Sequence, residues 1–148
     1  LQDEPTIIRF KGPVPTWVLI PHIILMFGAM LLSTRTGLDA LLKGTLSYRY
    51  AVITTIVMFV GGLIMGPLVQ KYAFDALWTG WPFGHDLTDN KTLVAFVFWL
   101  IAIWRARRFP DGRIWIIVAS LVTLVIFLIP HSVLGSEIDY TQMEMVKE

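Results

Sequence analysis

Long apolar runs separated by short polar connections dominate the pattern of this chain. Three of the four runs approach or reach the roughly 20 residues that a helix needs to cross a bilayer. The third run, Leu93–Trp104, is the shortest, and its helix reaches that length only by beginning near Thr88 and ending among the following arginines. The four predicted spans cover about residues 14–32, 51–69, 88–106 and 114–134. The pattern predicts an all-α integral membrane protein, a four-transmembrane-helix bundle over residues 14–134, with an external lead-in at residues 1–13 and an acidic tail at residues 135–148.

Composition supports this class and removes several kinds of chemistry. The chain of 148 residues is 55% hydrophobic and 16% charged, whereas soluble domains carry about 25% charged residues. It contains no cysteine, which excludes disulfides, iron–sulfur clusters, thiolate metal sites and covalent c-type haem attachment by this chain. The sequence has no recognisable phosphate-binding loop, nucleophile–base pair or nucleic-acid-binding patch, so we expect no nucleic-acid partner.

The distribution of charge predicts the orientation. The two connections on one side, residues 32–50 and 105–113, carry seven Lys or Arg against two Asp. The two termini and the connection 70–91 on the other side carry five Lys or Arg against nine Asp or Glu. Because loops rich in Lys and Arg stay in the cytoplasm, both termini are predicted to lie outside. The expected location is a bacterial inner membrane.

Histidines are the best pointers to chemistry in this chain. The tetrapeptide Leu-Ile-Pro-His occurs twice and ends at His22 and at His131, while His85 lies in the connection before the third span. The predicted topology puts all three in the outer half of the membrane or just outside it. Ionisable groups at membrane depth are costly and tend to be functional, and histidine pairs on facing helices hold b-type haem in bundles.

These positions support two main cofactor hypotheses and a structural alternative. In the first, His22 and His131 are axial ligands of the haem iron, and His85 substitutes for either. A two-fold dimer that supplies one ligand from each copy fits the sequence equally well. In the second, one histidine contacts a quinone or quinol, and Asp86 or Asp89 accepts a proton. A zinc or copper site of His85, Asp86 and Asp89 is a further option, although it lacks the ligand number of a structural zinc site. In the structural alternative, each histidine is a buried hydrogen-bonded or interfacial residue.

The connection 70–91, before the third span, is rich in aromatic residues. Trp78, Trp81 and Phe83 alternate with glycine and proline, so the segment is neither a continuous helix nor a flexible linker. These side chains either shield the mouth of a cofactor site or form an aromatic belt at the membrane interface. Asp86 or Thr88 is expected to cap the helix that follows.

Glycine and proline mark places where the helices approach closely or bend. Gly62 and Gly66 have the spacing that lets helix backbones pack together, and a flat cofactor could use the same space at Gly62. Pro21 and Pro130 directly precede His22 and His131, and each would bend its helix and free a carbonyl near the histidine.

The segment Trp78–Trp99, WTGWPFGHDLTDNKTLVAFVFW, resembles the tryptophan-rich loop of the haem-handling membrane proteins of cytochrome c biogenesis. In that family an external Trp/Gly/Asp segment runs into a membrane helix through an acidic-Lys/Thr start. The resemblance covers roughly 20 of 148 residues, lacks the family's Trp-Gly-x-Trp-Asp order and has His85 where an aromatic residue is expected. It implies that this loop faces haem and that histidines on flanking external segments are the ligands.

The leading functional hypothesis is a small membrane-anchor subunit of a respiratory or related electron-transfer complex. The subunit would hold haem b, or line a quinol site, near the outer membrane face. Its expected partners are other membrane subunits, outward-facing subunits and the lipid bilayer. One alternative is a cofactor-free structural accessory subunit of a membrane complex. Another, implied by the resemblance, is haem handling in cytochrome assembly.

Overall fold

A computed structural model describes residues 12–84 and 86–129, and these residues form an all-helical protein. The α-helices are α1 (Thr16–Leu41), α2 (Ser47–Met58), α3 (Gly66–Phe74), α4 (Leu87–Arg108) and α5 (Gly112–Leu128). A π-helical segment, Phe59–Met65, joins α2 to α3, so that they form one continuous rod, Ser47–Phe74. No β-strand occurs in the two described ranges. The predicted all-α class is therefore confirmed.

Three of the helical units are long and apolar enough to cross a membrane. They are α1 with 26 residues, the rod Ser47–Phe74 with 28 residues and α4 with 22 residues. Helix α4 has this length even though the apolar run that predicts it is short. The remaining unit, α5, is apolar but has 17 residues, which is about 26 Å at 1.5 Å per residue.

The four helical units pack as a ring. Along the chain, α1 packs against the rod Ser47–Phe74, and α4 packs against α5. The ring closes where α1 contacts α5 and α2 contacts α4, which leaves α1 and α4 at diagonally opposite corners. We call the end that holds the start of α1, residues 75–86 and the start of α4 the His22 end. The opposite end, which holds residues 105–113, is called the arginine end.

Small side chains fill the interior of the bundle, and hydrogen bonds join its helices. The largest fully buried side chain is Trp99 on α4, whose indole Nε1 donates to the hydroxyl of Thr123 on α5 at 2.9 Å. The hydroxyl of Ser120 on α5 donates to the carbonyl of Ser33 on α1 at 2.9 Å. Most other buried apolar residues are alanines. Small residues and interhelical hydrogen bonds are typical of helix packing in membranes, where burial from water does not drive helices together.

Large apolar side chains cover the outside of the bundle. On α1 alone, Trp17, Ile24, Phe27 and Leu31 are 62–66% exposed. Soluble monomers rarely expose contiguous apolar surface on this scale. A small-residue interior and an apolar exterior agree with helices that face lipid.

Helix α1 continues beyond the apolar run that predicts it. The run ends near residue 32, where charged residues begin, but the helix ends at Leu41. Lys43 then adopts a left-handed conformation, with φ 59°, and the amide of Gly44 donates to the carbonyl of Asp39 at 2.7 Å. This bond closes the last turn as a Schellman motif. Hydropathy shows where the apolar surface ends. The end of the helix is set instead by backbone motifs such as this Schellman motif.

Candidate functional site

Of the three histidines, the structure describes His22. His85 and His131 lie outside the described residues, as does the end of the predicted fourth span, residues 130–134. The pairing of His22 with either of the other two histidines therefore stays a prediction.

His22 is half-buried on α1 and is held by the backbone of the neighbouring rod. Its ring nitrogen Nδ1 lies 2.9 Å from the carbonyl oxygen of Gly61. A carbonyl can only accept a hydrogen bond, so Nδ1 donates and carries the proton of the neutral ring. Nitrogen Nε2 then carries a free lone pair, and it has no hydrogen-bond partner among the described residues. The geometry gives His22 a defined tautomer with one nitrogen available to a ligand.

The partner of His22 belongs to the π-helical segment, where the rod departs from regular α-helix. Gly61 accepts both from His22 and from the amide of Gly66, five residues further along the chain. Glycines are weak helix formers, and Pro67 has no amide hydrogen to continue the regular pattern. Both features favour an irregular turn here. Such π-helical turns inside α-helices are frequent at functional sites.

Gly62 lies where three helices meet. A Cβ atom at Gly62 would lie 2.6 Å from the Cγ2 of Thr92 on α4 and 3.7 Å from the sulfur of Met26 on α1. The glycine is buried and lets the rod approach both neighbours, as the packing interpretation predicts. Its role beside a flat cofactor stays a prediction. Gly28, by contrast, has no neighbouring atom within 4 Å of the position that a Cβ would take.

The start of α4 is capped as predicted. Asp86 is the N-cap residue, and its Oδ1 accepts a hydrogen bond from the amide of Thr88 at 2.6 Å. Its own amide donates to the carbonyl of Thr79 at 3.0 Å. Asp86 thus joins the connection 75–86 to α4, and it is one of the two residues, with Thr88, that the sequence offered as the cap.

Asp89, one of the two predicted proton acceptors, is buried and accepts hydrogen bonds from the preceding connection. Its Oδ2 accepts from the amides of Thr79 at 2.7 Å and Gly80 at 3.1 Å. The amide nitrogen of Gln70 on α3 donates to both carboxylate oxygens at 3.0 Å, because only this orientation directs a donor toward the carboxylate. Asp89 therefore has a structural role in holding the connection to α3 and α4. Proton transfer by Asp86 or Asp89 stays a prediction.

The three aromatic residues predicted to shield the site differ in exposure. Trp81 is 68% exposed and Phe83 is 85% exposed, while Trp78 is half-buried. The indole Nε1 of Trp78 donates to the carbonyl of Trp81 at 3.1 Å, and the amide of Trp81 donates to Asn90 Oδ1 at 2.6 Å. The exposed rings suit the headgroup layer of a membrane, where tryptophan is enriched.

Lys91 is a residue of this end that sequence reasoning missed. It is 7% exposed, and its Nζ donates to the carbonyl of Ile129, just beyond the end of α5, at 3.0 Å. The last carbonyls of a helix lack helical partners, and a cation is favourable beside them. The position of this lysine in the first turns of an apolar helix could have indicated a buried, paired charge. The sequence does not identify its partner, which is 38 residues away.

No group of three or more His, Cys, Asp or Glu side chains that could hold a metal ion occurs among the described residues. The zinc or copper hypothesis involves His85 and so falls partly outside them. The haem hypothesis has one described ligand candidate, His22. Comparison of this chain with family models, curated proteins and solved structures gives no match.

Proposed function

We propose that this chain is a membrane subunit of an electron-transfer complex, in which His22 binds haem b or a quinol. The observation that supports this function is the 2.9 Å hydrogen bond from His22 Nδ1 to the carbonyl of Gly61. A metal-ligating histidine almost always donates its other ring N–H in this way, because the bond fixes the tautomer and orients the ring. The same free Nε2 would accept a hydrogen bond from a quinol hydroxyl.

A glycine directly beside the ring of His22 supports the proposal of a planar ligand there. The position of a Cβ at Gly66 lies 3.8 Å from His22 Cε1, so a glycine lies beside the ring where a side chain would take up space. His22 lies six residues after the start of α1, about 9 Å along the helix axis. Bound haem would supply one-electron redox chemistry, while Gly61 holds the imidazole in orientation.

The second ligand in this proposal is His131. It follows α5 in the chain, and α5 is a direct neighbour of α1. His85, from the connection before α4, is its substitute. Trp78, Trp81 and Phe83 then lie at the membrane interface near the mouth of the site.

The topology is part of the proposal. We propose four spans, with α5 and the apolar sequence that follows it to residue 134 as the fourth. The excess of basic residues in the connections 32–50 and 105–113 supports a cytoplasmic arginine end, with both termini outside. A bacterial inner membrane, with further membrane and outward-facing subunits as partners, is the setting that fits this orientation.

A cofactor-free structural subunit is the second candidate function. The close packing at Gly62 and the structural hydrogen bonds of Asp86 and Asp89 favour it, because both need no ligand. Under this function the bond from His22 to Gly61 joins α1 to the rod and has no further role.

A visible spectrum separates the two candidates. The full chain is purified with its native partners, and the dithionite-reduced spectrum is compared with the oxidised one for the wild type and for His22→Ala, His131→Ala and His85→Ala. If His22 and His131 are the ligands, a sharp reduced haem α-band disappears in the first two variants and remains in the third.

Two results would contradict the haem function. The absence of any haem band in the wild-type complex would leave quinol binding or a structural role. A band that persists in His22→Ala at wild-type intensity would assign the haem to other residues. Quinol binding is then tested by the affinity of the wild type and His22→Ala for a quinol analogue.

A further inference from the structure

Residues 105–113 at the arginine end include four arginines, and two of them contact other parts of this end. Arg105 forms an ion pair with Asp111 and lies over the ring of Phe109, with 4.4 Å between the guanidinium carbon and the ring centroid. Arg113 donates a long hydrogen bond, 3.5 Å, to the carbonyl of Gly44 in the connection between α1 and α2. These contacts join neighbouring parts of the same end.

The other two arginines are exposed, and their side chains form no ion pair or hydrogen bond with another described residue. Arg107 and Arg108 line a shallow depression of about 520 Å³ on the outside of α4, together with Leu100, Ile103 and Trp104. Residues with this spacing share one face of a helix. The face is apolar over little more than one turn and cationic in the next turn, at the end of α4.

We propose that this depression, the arginine groove, binds one anionic phospholipid. The acyl chain lies against Leu100, Ile103 and Trp104, and the phosphate binds Arg107 and Arg108. Guanidinium groups form strong, charge-assisted hydrogen bonds with phosphate oxygens, and basic sites at the ends of membrane helices bind anionic headgroups. Tryptophan is enriched at the level of the headgroups, which agrees with the position of Trp104 beside the arginines.

The two halves of the groove together specify the ligand. A soluble anion would leave the apolar half of the groove without a partner. A zwitterionic lipid such as phosphatidylcholine also carries a phosphate, but its own ammonium group balances that charge, so the net charge of the two arginines would stay uncompensated. An anionic phospholipid satisfies both halves. The inference needs a membrane around α4 but does not depend on haem or on His22, so the two proposals fail separately.

Fluorescence quenching measures this binding directly. The full chain is reconstituted in phosphatidylcholine vesicles that contain a small fraction of brominated phosphatidylglycerol or of brominated phosphatidylcholine. The contribution of Trp104 is the difference between the wild type and Trp104→Phe. We expect brominated phosphatidylglycerol to quench Trp104 more strongly than brominated phosphatidylcholine at equal mole fraction.

Two double variants test whether the groove itself causes the preference. Arg107→Gln/Arg108→Gln removes the groove cations, while Arg49→Gln/Arg113→Gln removes the same charge from other positions at the arginine end. We expect the preference to fall by about fivefold for each groove arginine removed, and to stay near the wild-type value in the control. Elution volume and helix content check that both variants fold.

Three results would overturn the proposal. Equal quenching by the two lipids in the wild type would mean that the groove has no preference. Equal losses in the two double variants would assign the preference to the general charge of this end. Relief of quenching by millimolar inorganic phosphate would mean that the arginines bind a phosphate group without its acyl chain.

Discussion

The two ends of α4 use charge in opposite ways. At the His22 end, Asp89 and Lys91 are buried, and each has a defined partner within the chain. At the arginine end, Arg107 and Arg108 are exposed and have no such partner among the described residues. A buried charge is costly unless it is paired and hydrogen-bonded, whereas an exposed arginine carries little cost. The comparison indicates that the buried charges maintain the fold and that the exposed ones are available to a ligand.

The polar side chains at the His22 end also differ in how far their hydrogen-bonding atoms are used within the chain. Asp86 and Asp89 are the predicted proton acceptors, and their hydrogen bonds hold the connection 75–86 against α4. His22 differs from them, because one of its two nitrogens remains without a partner in the described residues. A candidate ligand keeps an atom with an unused lone pair after folding, whereas a structural group does not. Residue type alone does not make this distinction.

The largest effect is expected from removal of the buried carboxylate at the His22 end. Asp89→Ala leaves the amides of Thr79 and Gly80 without their acceptor, and unsatisfied buried donors cost about 1–3 kcal/mol each. We expect the free energy of unfolding in mixed micelles to fall by about 3 kcal/mol. Circular dichroism during titration with a denaturing detergent measures it.

The control for this change is an exposed carboxylate in the connection that Asp89 holds in place. Asp75 pairs with Lys71 at 2.6 Å and is otherwise open to solvent. Its backbone is left-handed, with φ 60°, a conformation that asparagine tolerates better than alanine. The control is therefore Asp75→Asn, which removes the charge and is expected to leave stability unchanged. Equal destabilisation by the two variants would contradict the distinction between buried and exposed charges.

An intermediate effect is expected from a methyl group in the half of the bundle nearer the arginine end. At Gly37 on α1, a Cβ would lie 2.7 Å from the Cβ of Ser120 on α5, which cannot move away without a shift of its helix. Gly37→Ala should therefore destabilise the protein by about 1–2 kcal/mol through overpacking. Gly28→Ala, on the same helix with open space around it, should be neutral or slightly stabilising because alanine favours helix. The same detergent titration compares them, and a loss at Gly28 equal to that at Gly37 would contradict the assigned interface.

The smallest effect concerns the paired arginine of the arginine end. The hydrogen bond from Arg105 lowers the pKa of the Asp111 carboxyl below its ordinary value of 3.8. Because the folded pKa is the lower one, the stabilisation is present above pH 3.8 and is lost as the pH falls through the folded pKa. An NMR titration of the Asp111 carboxyl should report this lowered pKa, and Arg105→Gln should return it toward the ordinary value. The matched variant Arg107→Gln should have no such effect, and equal shifts in both variants would mean that Arg105 has no specific role.

Much of the helical architecture could be predicted from local sequence. Apolar runs indicated where the helices lie. Local sequence also narrowed the cap of α4 to Asp86 or Thr88, because a capping bond spans only two residues. The continuation of α1 to Leu41 was missed, since hydropathy does not report the backbone closure at Lys43 and Gly44. The π-helical segment was missed as well, although Gly61 and Pro67 were visible as weak points of a helix.

The sequence by itself determined the membrane class, the helical content and the uneven distribution of charge, because each depends on composition and on neighbours a few residues apart. Only the tertiary structure decided which polar side chains form hydrogen bonds between distant parts of the chain. His22 bonds to a carbonyl 39 residues away, and Lys91 bonds to one 38 residues away. Such partners depend on which helices become neighbours and on their vertical register. That register is set by the packing of whole helices, so it cannot be predicted from residues that are neighbours in the sequence.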